Sequence, residues 1–392
     1  MRPNILNTEK IQWLKNQGLK PNDRIAIQKK IDPDWIDLFF GAMKLELNLA
    51  PLPLKGPIDS LLNQIKPKLW IDPDGICHHF DEYKMDISSP SLLLSTSGSS
   101  NAPKIAVLPF EKLLKSSKSV VEALKIDEND CLLLSLPMHH VGGIGSLLRA
   151  FVSGAKVAFE ESNPLITLLS LVPTQLYRAW PIHKNLRAIL LGGAPITEIP
   201  NELPIYATYG LTEMGSSVLL KKQPTKINGY WHLGFPLKHA KIKLSEENEI
   251  LVQGSSLFEG YLENGKVTKQ EGWFSTKDLA HFDLNEGYAI VGRKDNLFIS
   301  GGENIQPEEI ERHILNHPDI IDAIVIPKKD PEFGMRPVAC IQSIRPITLK
   351  ELQFFLQKSL PKFKIPIRLL ELQKNGLKAQ RKQIFEEVNP SI

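Results

Sequence analysis

Short apolar runs closed by polar or turn residues recur through the first two thirds of the chain. Arg24–Gln28, Lys68–Ile71, Leu92–Ser95, Cys131–Leu136, Lys156–Glu160, Arg187–Leu191 and Pro204–Thr208 are predicted strands, being brief and rich in aliphatic residues. Amphipathic stretches separate several of them and predict helices, among them Glu111–Leu124 and Ile144–Val152. A further helix runs from Pro33 to Met43, with Asp32 as capping carboxylate and proline at the first helical position. Strands alternating with helices imply an α/β fold with a largely parallel, helix-covered sheet.

The pattern changes twice. After about Lys238 short strands follow one another (Ile242–Leu244, Glu249–Gln253, Tyr288–Val291), which predicts a β-rich subdomain at about 239–291. From Gly292-Arg293 onward the order is helix Pro307–Asn316, strands Ile320–Ile326 and Pro337–Ser343, helix Leu349–Leu360 and strand Ile367–Leu372. That is a compact α+β unit of about 100 residues, an ordinary domain size. The predicted division is therefore an N-terminal domain over 1–293 and a C-terminal domain over 294–392.

Composition narrows the partners. With 42% apolar and 23% charged residues the chain is globular, and 392 residues suit more than one domain. A net charge of +3, from 47 basic and 44 acidic side chains, argues against nucleic acid. Cys77, Cys131 and Cys340 form neither a zinc pattern nor a disulfide framework. The first twenty residues lack a signal-peptide core, and the richest apolar stretch, Asn163 to Trp180, is broken by Pro173, Thr174, Gln175 and Arg178. A cytoplasmic protein without membrane insertion is expected.

Five segments carry candidate chemistry. In the first, Thr96-Ser97-Gly98-Ser99-Ser100 follows a buried strand and Lys104 closes the loop. Hydroxyls, a glycine and an ammonium suit oxyanions such as phosphates, although a solvated turn would look the same. It is not a P-loop, since Pro103 precedes the lysine. The second is Tyr209-Gly210-Leu211-Thr212-Glu213 after Gly192-Gly193-Ala194. It offers a flat ring for a purine, a backbone open to close approach, and a carboxylate for Mg2+. Asp278, at the end of a turn, could accept both ribose hydroxyl protons. Arg293 and Asp295 stand before Gly301-Gly302 and a helix opened by Pro307, Glu308 and Glu309, where acids face the positive end of the dipole. The fifth is Lys374-Asn375-Gly376-Leu377-Lys378-Ala379-Gln380-Arg381, which alone reads as a basic surface loop.

In this order and spacing, the five segments resemble the core motifs of the adenylate-forming superfamily, over roughly Leu19 to Lys382. The resemblance implies a large multi-sheet N-terminal AMP-binding domain and a small mobile C-terminal lid. It also implies ATP, Mg2+ and, as cosubstrate, CoA. Three further stretches resemble the o-succinylbenzoate–CoA ligases: Leu136 to Gly143 with Arg149, Ser170 to Leu176, and Ser300 to Glu309 together with Glu332 to Ala339. By that likeness His140, Gly142, Gly143, Arg149, Ser170 and Thr174 bind the acid, while His139 is an ordinary structural histidine.

The resemblance also implies roles. Lys378 bridges the reacting carboxylate and the α-phosphate, and Thr212 and Glu213, the latter holding Mg2+, complete the catalytic set. Thr96 to Ser100 with Lys104 cradle phosphates, Gly192 to Ala194 with Tyr209 and Gly210 line the purine, and Asp278 with Arg293 take the ribose. Asp295 is the hinge, and Gly301 and Gly302 border the CoA channel. Three departures stand out: Asn101 replaces a glycine, Leu377 precedes the lysine, and the chain starts almost at Gln17-Gly18-Leu19. The last implies surface covered by a second copy in a homo-oligomer. Rival readings are another aryl- or acyl-CoA ligase, separable by an acid screen, and a degenerate nucleotide-binding protein, which would bind ATP without forming AMP.

Overall fold

The computed structural model describes residues 1, 3, 7–56, 58–81, 87–96, 103–176, 183–196, 198–372 and 381–389, with only the backbone at Thr174 and Lys382. They form two compact units. The first comprises Met1–Pro224, Leu233–Ile242 and Val252–Phe274, and the second Thr225–His232, Lys243–Leu251 and the described part of Ser275–Ile392. The boundary expected at residue 294 falls inside the second unit.

The first unit holds two sheets, in keeping with the multi-sheet N-terminal domain that the resemblance implied. The eight-stranded sheet runs Lys266–Lys269, Gly260–Glu263, Lys104–Pro109, Ser91–Thr96, Asn48–Pro51, Arg24–Ile27, Leu69–Ile71, Cys77–His79. Its middle is parallel and its flanks antiparallel. The six-stranded sheet runs Ser216–Lys222, Ile205–Leu211, Ala188–Leu191, Leu168–Leu171, Cys131–Leu133, Lys156–Ala158, and is parallel except at its first pair. Arg24–Ile27, Ala188–Leu191 and Leu168–Leu171 are buried throughout, as expected of strands covered on both faces.

Helix Pro33–Lys44 starts as its sequence dictates: the Asp32 carboxylate accepts the Trp35 N–H at 2.7 Å and proline occupies the first turn. Helix Phe110–Leu124 packs against helix Val141–Ser153 and touches a strand of each sheet. Phe39, Phe40, Phe110 and Phe151 join these helices edge-on or stacked, with ring centroids 4.5–5.9 Å apart.

The second unit's first sheet is antiparallel through Thr225–Ile227, Tyr230–His232, Gly287–Arg293 and Phe274–Asp283, with residues 249–251 next in order. Its second sheet pairs Ile320–Asp330 with one edge of Gly334–Ser343, whose other edge takes Arg368–Glu371 in parallel and the hairpin Phe298–Ser300/Glu303–Ile305. Helices Pro307–Leu315 and Leu349–Leu356 close a core of Ile310, Ile314, Val325, Ala339, Leu352 and Leu356. No helix among the described residues is long and apolar enough to cross a membrane.

Candidate active site

The ends of the phosphate-loop candidate are held by strand pairing. Thr96 closes Ser91–Thr96, Lys104 opens Lys104–Pro109, and the two face each other in register. The Thr96 hydroxyl donates to the Lys104 carbonyl at 3.4 Å. Ser97, Gly98, Ser99, Ser100 and Asn101 lie outside the described residues. On the other side of Lys104–Pro109 runs Gly260–Glu263, which places Tyr261 opposite Ala106. The Lys104 ammonium lies 5.1 Å from the Tyr261 ring centre, and the Tyr261 hydroxyl donates to Glu213 Oε1 at 2.5 Å. Glu213 sits on the single turn Thr212–Met214, whose backbone accepts from the Phe258 N–H at 2.7 Å and the Ser256 hydroxyl at 2.9 Å. Tyr261 thus gathers Lys104 and Glu213. Sequence inspection missed it because 48 residues separate it from that acid.

The purine-side candidates follow neighbouring parallel strands, Ala188–Leu191 and Ile205–Leu211. A methyl on Gly192 would stand 2.5 Å from the Thr208 carbonyl oxygen, and one on Gly210 would stand 2.3 Å from that of Ser216. Gly193 has φ of +77°. Ala194 and Tyr209 are half-buried. The glycines let strands and loops approach until little but backbone separates them.

The acyl-side candidates centre on helix Val141–Ser153. Its lead-in turn is tight: a methyl on Gly143 would meet the Pro137 carbonyl oxygen at 2.4 Å, and one on Gly142 would meet Leu136 Cδ1 at 3.0 Å. His140 caps the helix and is exposed, with its ring 4.3 Å from that of His139. Burial, then the neighbouring His140, lower the His139 pKa to about 4.

Arg149, two and a half turns on, is 2% exposed. Its Nη2 donates to Ser146 Oγ at 2.9 Å and Ser170 Oγ at 3.3 Å, and these hydroxyls lie 3.0 Å apart. Ser135 fixes the Ser170 carbonyl at 2.6 Å. A methyl on Gly145 would lie 3.0 Å from Ser216 Oγ and 3.5 Å from Arg149 Nη1, so the helix backbone comes close to both Ser216 and the guanidinium there. Among the described residues no carboxylate pairs with Arg149 and its Nε finds no acceptor. Burial alone lowers its pKa to about 10, so it remains a cation at neutral pH. Ser170 touches Arg149, whereas nine residues of helix put His140 about 13 Å from it along the axis.

In the second unit Asp278 and Arg293 are register partners on adjacent strands. Arg293 donates to Asp278 at 3.1 Å, to the Thr276 carbonyl at 3.2 Å, and through two nitrogens to Asp295 at 3.1 Å each. Despite burial, these carboxylates hold the guanidinium firmly protonated. Gly301 and Gly302 turn the hairpin with φ of +58° and +85°, and both are exposed. A methyl on Gly301 would touch Phe333 at 2.9 Å.

Thr174 lies on the helical turn Pro173–Leu176, with only its backbone described. Lys374, Leu377 and Lys378 lie outside the described residues. Among those described, no group of three or more His, Cys, Asp or Glu side chains could cage a metal. A lone carboxylate such as Glu213 suits an Mg2+ that arrives on phosphates and keeps its waters.

Known proteins share this arrangement. Residues 58–262 match the model of the AMP-binding enzyme family. A 2-succinylbenzoate–CoA ligase of Haemophilus influenzae is 39% identical over 330 residues, covering 77% of this chain and 72% of its own. A ligase of the same name from Salmonella typhimurium is 38% identical, covering 95% and 89%. Among solved structures, Escherichia coli MenE with bound OSB-AMS superposes with a TM-score of 0.81 at 28% identity, covering 98% of this chain and 91% of its own. The o-succinylbenzoate CoA synthetase of Bacillus subtilis, in complex with the acyl-adenylate intermediate OSB-AMP, gives 0.79 at 25%, covering 96% and 90%.

Proposed function

We propose, from the premise that this chain belongs to the AMP-binding enzyme family and within it to the 2-succinylbenzoate–CoA ligases, that it converts 2-succinylbenzoate, ATP and CoA to 2-succinylbenzoyl-CoA, AMP and pyrophosphate in menaquinone biosynthesis. A carboxylate resists direct attack by a thiol because its charge is delocalised and its leaving group is oxide. Two half-reactions avoid this. In the first, a carboxylate oxygen attacks the α-phosphorus of ATP, the bond to the bridging oxygen breaks, and pyrophosphate leaves with the electron pair. In the second, the CoA sulfur attacks the acyl carbonyl, the bond to AMP breaks, and the thiol proton is released.

Both partners in the first step are anions, so the need is for cations where negative charge accumulates. The reading gives Lys378 to the reacting carboxylate and α-phosphate, and Lys104 with Thr96 to the departing pyrophosphate. Glu213, oriented by the Tyr261 hydroxyl, would hold an Mg2+ arriving with the phosphates, which would supply positive charge against theirs. Gly192, Gly193, Ala194, Tyr209 and Gly210 receive the purine, and Asp278 with Arg293 the ribose hydroxyls. Asp295 is the pivot of a lid over 294–392 that withdraws Lys378 before the thiol enters past Gly301 and Gly302.

The observation that carries the choice of acid is Arg149. A buried guanidinium without a carboxylate partner is costly unless a ligand supplies the anion. A fatty-acid pocket has no use for one, whereas the second carboxylate of 2-succinylbenzoate does, directly or through bridging water. The deciding experiment incubates the protein with ATP, Mg2+, CoA and either 2-succinylbenzoate, benzoates or fatty acids, and weighs the products. 2-Succinylbenzoyl-CoA is expected as the dominant thioester. A dominant benzoyl or fatty-acyl thioester overturns the reading.

A further inference from the structure

Helix Pro307–Leu315 carries two acids on its inner face that the reaction above does not use. Glu308 and Glu311 are each 8% exposed and, three residues apart, lie one above the other. Glu311 Oε1 accepts the Val325 N–H at 2.6 Å and stands 2.7 Å from Arg381 Nη2. Arg381 Nη1 donates to the carbonyl of the same Val325. The pair therefore grips both polar groups of one residue on strand Ile320–Asp330.

Arg381 is the first residue of helix Arg381–Val388 and stands three positions after Lys378. The far end of that helix is tied to the same strand. Asn389 donates to the Pro327 carbonyl at 3.0 Å and accepts from the Lys329 N–H at 3.1 Å.

Glu308 faces the other way along the network. It lies 3.7 Å from Arg381 Nη2, accepts from Asn296 Nδ2 at 2.5 Å and from Gln306 Nε2. Gln306 Nε2 also reaches the Arg293 carbonyl at 3.0 Å. Polar contacts run without a break from Arg381 through the two glutamates to the turn Arg293–Asn296, all inside the second unit. Gly292 shows how closely this is packed, since a methyl there would stand 2.5 Å from Gln306 Nε2 and 2.8 Å from Glu308 Oε2.

Structural economy does not account for the arrangement. Two buried carboxylates on one guanidinium leave an excess negative charge, and apolar side chains on that helix face would fold at lower cost. Burial, with the Glu308 charge adding to it and Arg381 only partly offsetting it, pushes Glu311 up to about 7. We propose that Glu308 and Glu311 couple the Arg293–Asn296 turn to helix Arg381–Val388, which begins three residues after Lys378 in the chain, and so act as positioning residues for that lysine in adenylation. The inference rests on the reading of Lys378 given above.

The test separates the half-reactions. Glu311→Gln and Glu308→Gln are assayed for ATP–pyrophosphate exchange with acid present, and for thioester formation from synthetic acyl-adenylate plus CoA. Exchange should fall roughly 10- to 100-fold through kcat, with KM for ATP little changed, while the thioester step stays within about twofold. Gly292→Ala, which disturbs the network from the other end without removing a charge, should give the same split. Combining Glu311→Gln with Arg381→Met should cost no more than Arg381→Met alone. Equal loss in both half-reactions, or no loss in exchange, overturns the proposal. Should a glutamine variant fail to fold, Gly292→Ala still discriminates between these outcomes. Wild type is run on whichever acid it adenylates, so a wrong substrate and a wrong network fail separately.

Discussion

Arg149 and Arg381 bring a guanidinium inward in each of the two units, and their surroundings differ in kind. Arg149 is sealed among serine hydroxyls, with no carboxylate beside it among the described residues. Arg381 meets two carboxylates and a carbonyl. A charge balanced from within fixes geometry, so Arg381 is satisfied before any ligand arrives. A charge left unbalanced has only its hydroxyls to lean on, and the missing anion must come from outside. On the proposed reading the contrast divides the labour: Arg149 serves recognition of the acid, and the network around Arg381 serves the positioning of Lys378.

The largest expected effect tests the second half of that division. Lys378→Ala should lower acyl-adenylate formation by about 100- to 1000-fold, as losing one well-placed electrostatic contact does. Thioester formation from supplied adenylate should survive, and equal loss of both would remove Lys378 from the mechanism.

Next comes pH, where the units should respond with opposite sign. Burial lowers His239, 5% exposed in the first unit, to about 4 from the usual 6.5. The unfolded chain therefore binds that proton more tightly, and stability present above pH 6.5 is lost as pH falls toward 4. Glu311, raised by burial and then by the Glu308 charge to about 7 from 4.5, is the reverse: its contribution is present below pH 4.5 and lost as pH rises through 7. Each amounts to at most about 3 kcal/mol. Urea titrations across pH 4 to 8 should show the acid-side slope flattened by His239→Leu and the neutral-side slope by Glu311→Gln. Slopes unaltered by either change would remove the contrast.

Arg149→Met should lower kcat/KM for 2-succinylbenzoate about 100-fold, or about 2.7 kcal/mol, while leaving the melting temperature unchanged or higher. A lower melting temperature with unaltered kinetics would make this arginine structural. The smallest effect belongs to Tyr261→Phe, which frees Glu213 from one hydrogen bond. A few-fold slower pyrophosphate release, about 1 kcal/mol, is expected, and no change would leave the tyrosine a packing residue.

Much of the architecture was readable because local chemistry and tertiary fold agree. Asp32-Pro33 announces a helix and one is there. The aliphatic runs at Arg24, Leu92 and Ala188 became buried strands. Strand Leu168–Leu171 was hidden inside an apolar stretch that lacks alternation, and Cys131–Leu133 proved shorter than its apolar run because the chain leaves the sheet for the Pro137 turn. At the site, Arg149 and Ser170 were legible as residue types and met in space. Tyr261 and Glu311 were not, since their roles depend on partners 48 and 70 positions away, a separation no local pattern encodes.

The hairpin Gly260–Glu263/Lys266–Lys269 finishes a sheet that the first hundred residues began, pairing Leu262 with Ile105. Until that hairpin emerges from the ribosome, strand Lys104–Pro109 is a bare edge, ready to recruit the wrong chain. Completion waits for more than 150 intervening residues, so assembly of the nucleotide half should be slow and late in synthesis. A nascent chain stopped just short of residue 260 would carry the glycines, Tyr209 and Glu213 on a finished six-stranded sheet yet lack Tyr261 and the closing hairpin of the eight-stranded one, and chaperone dependence should peak there.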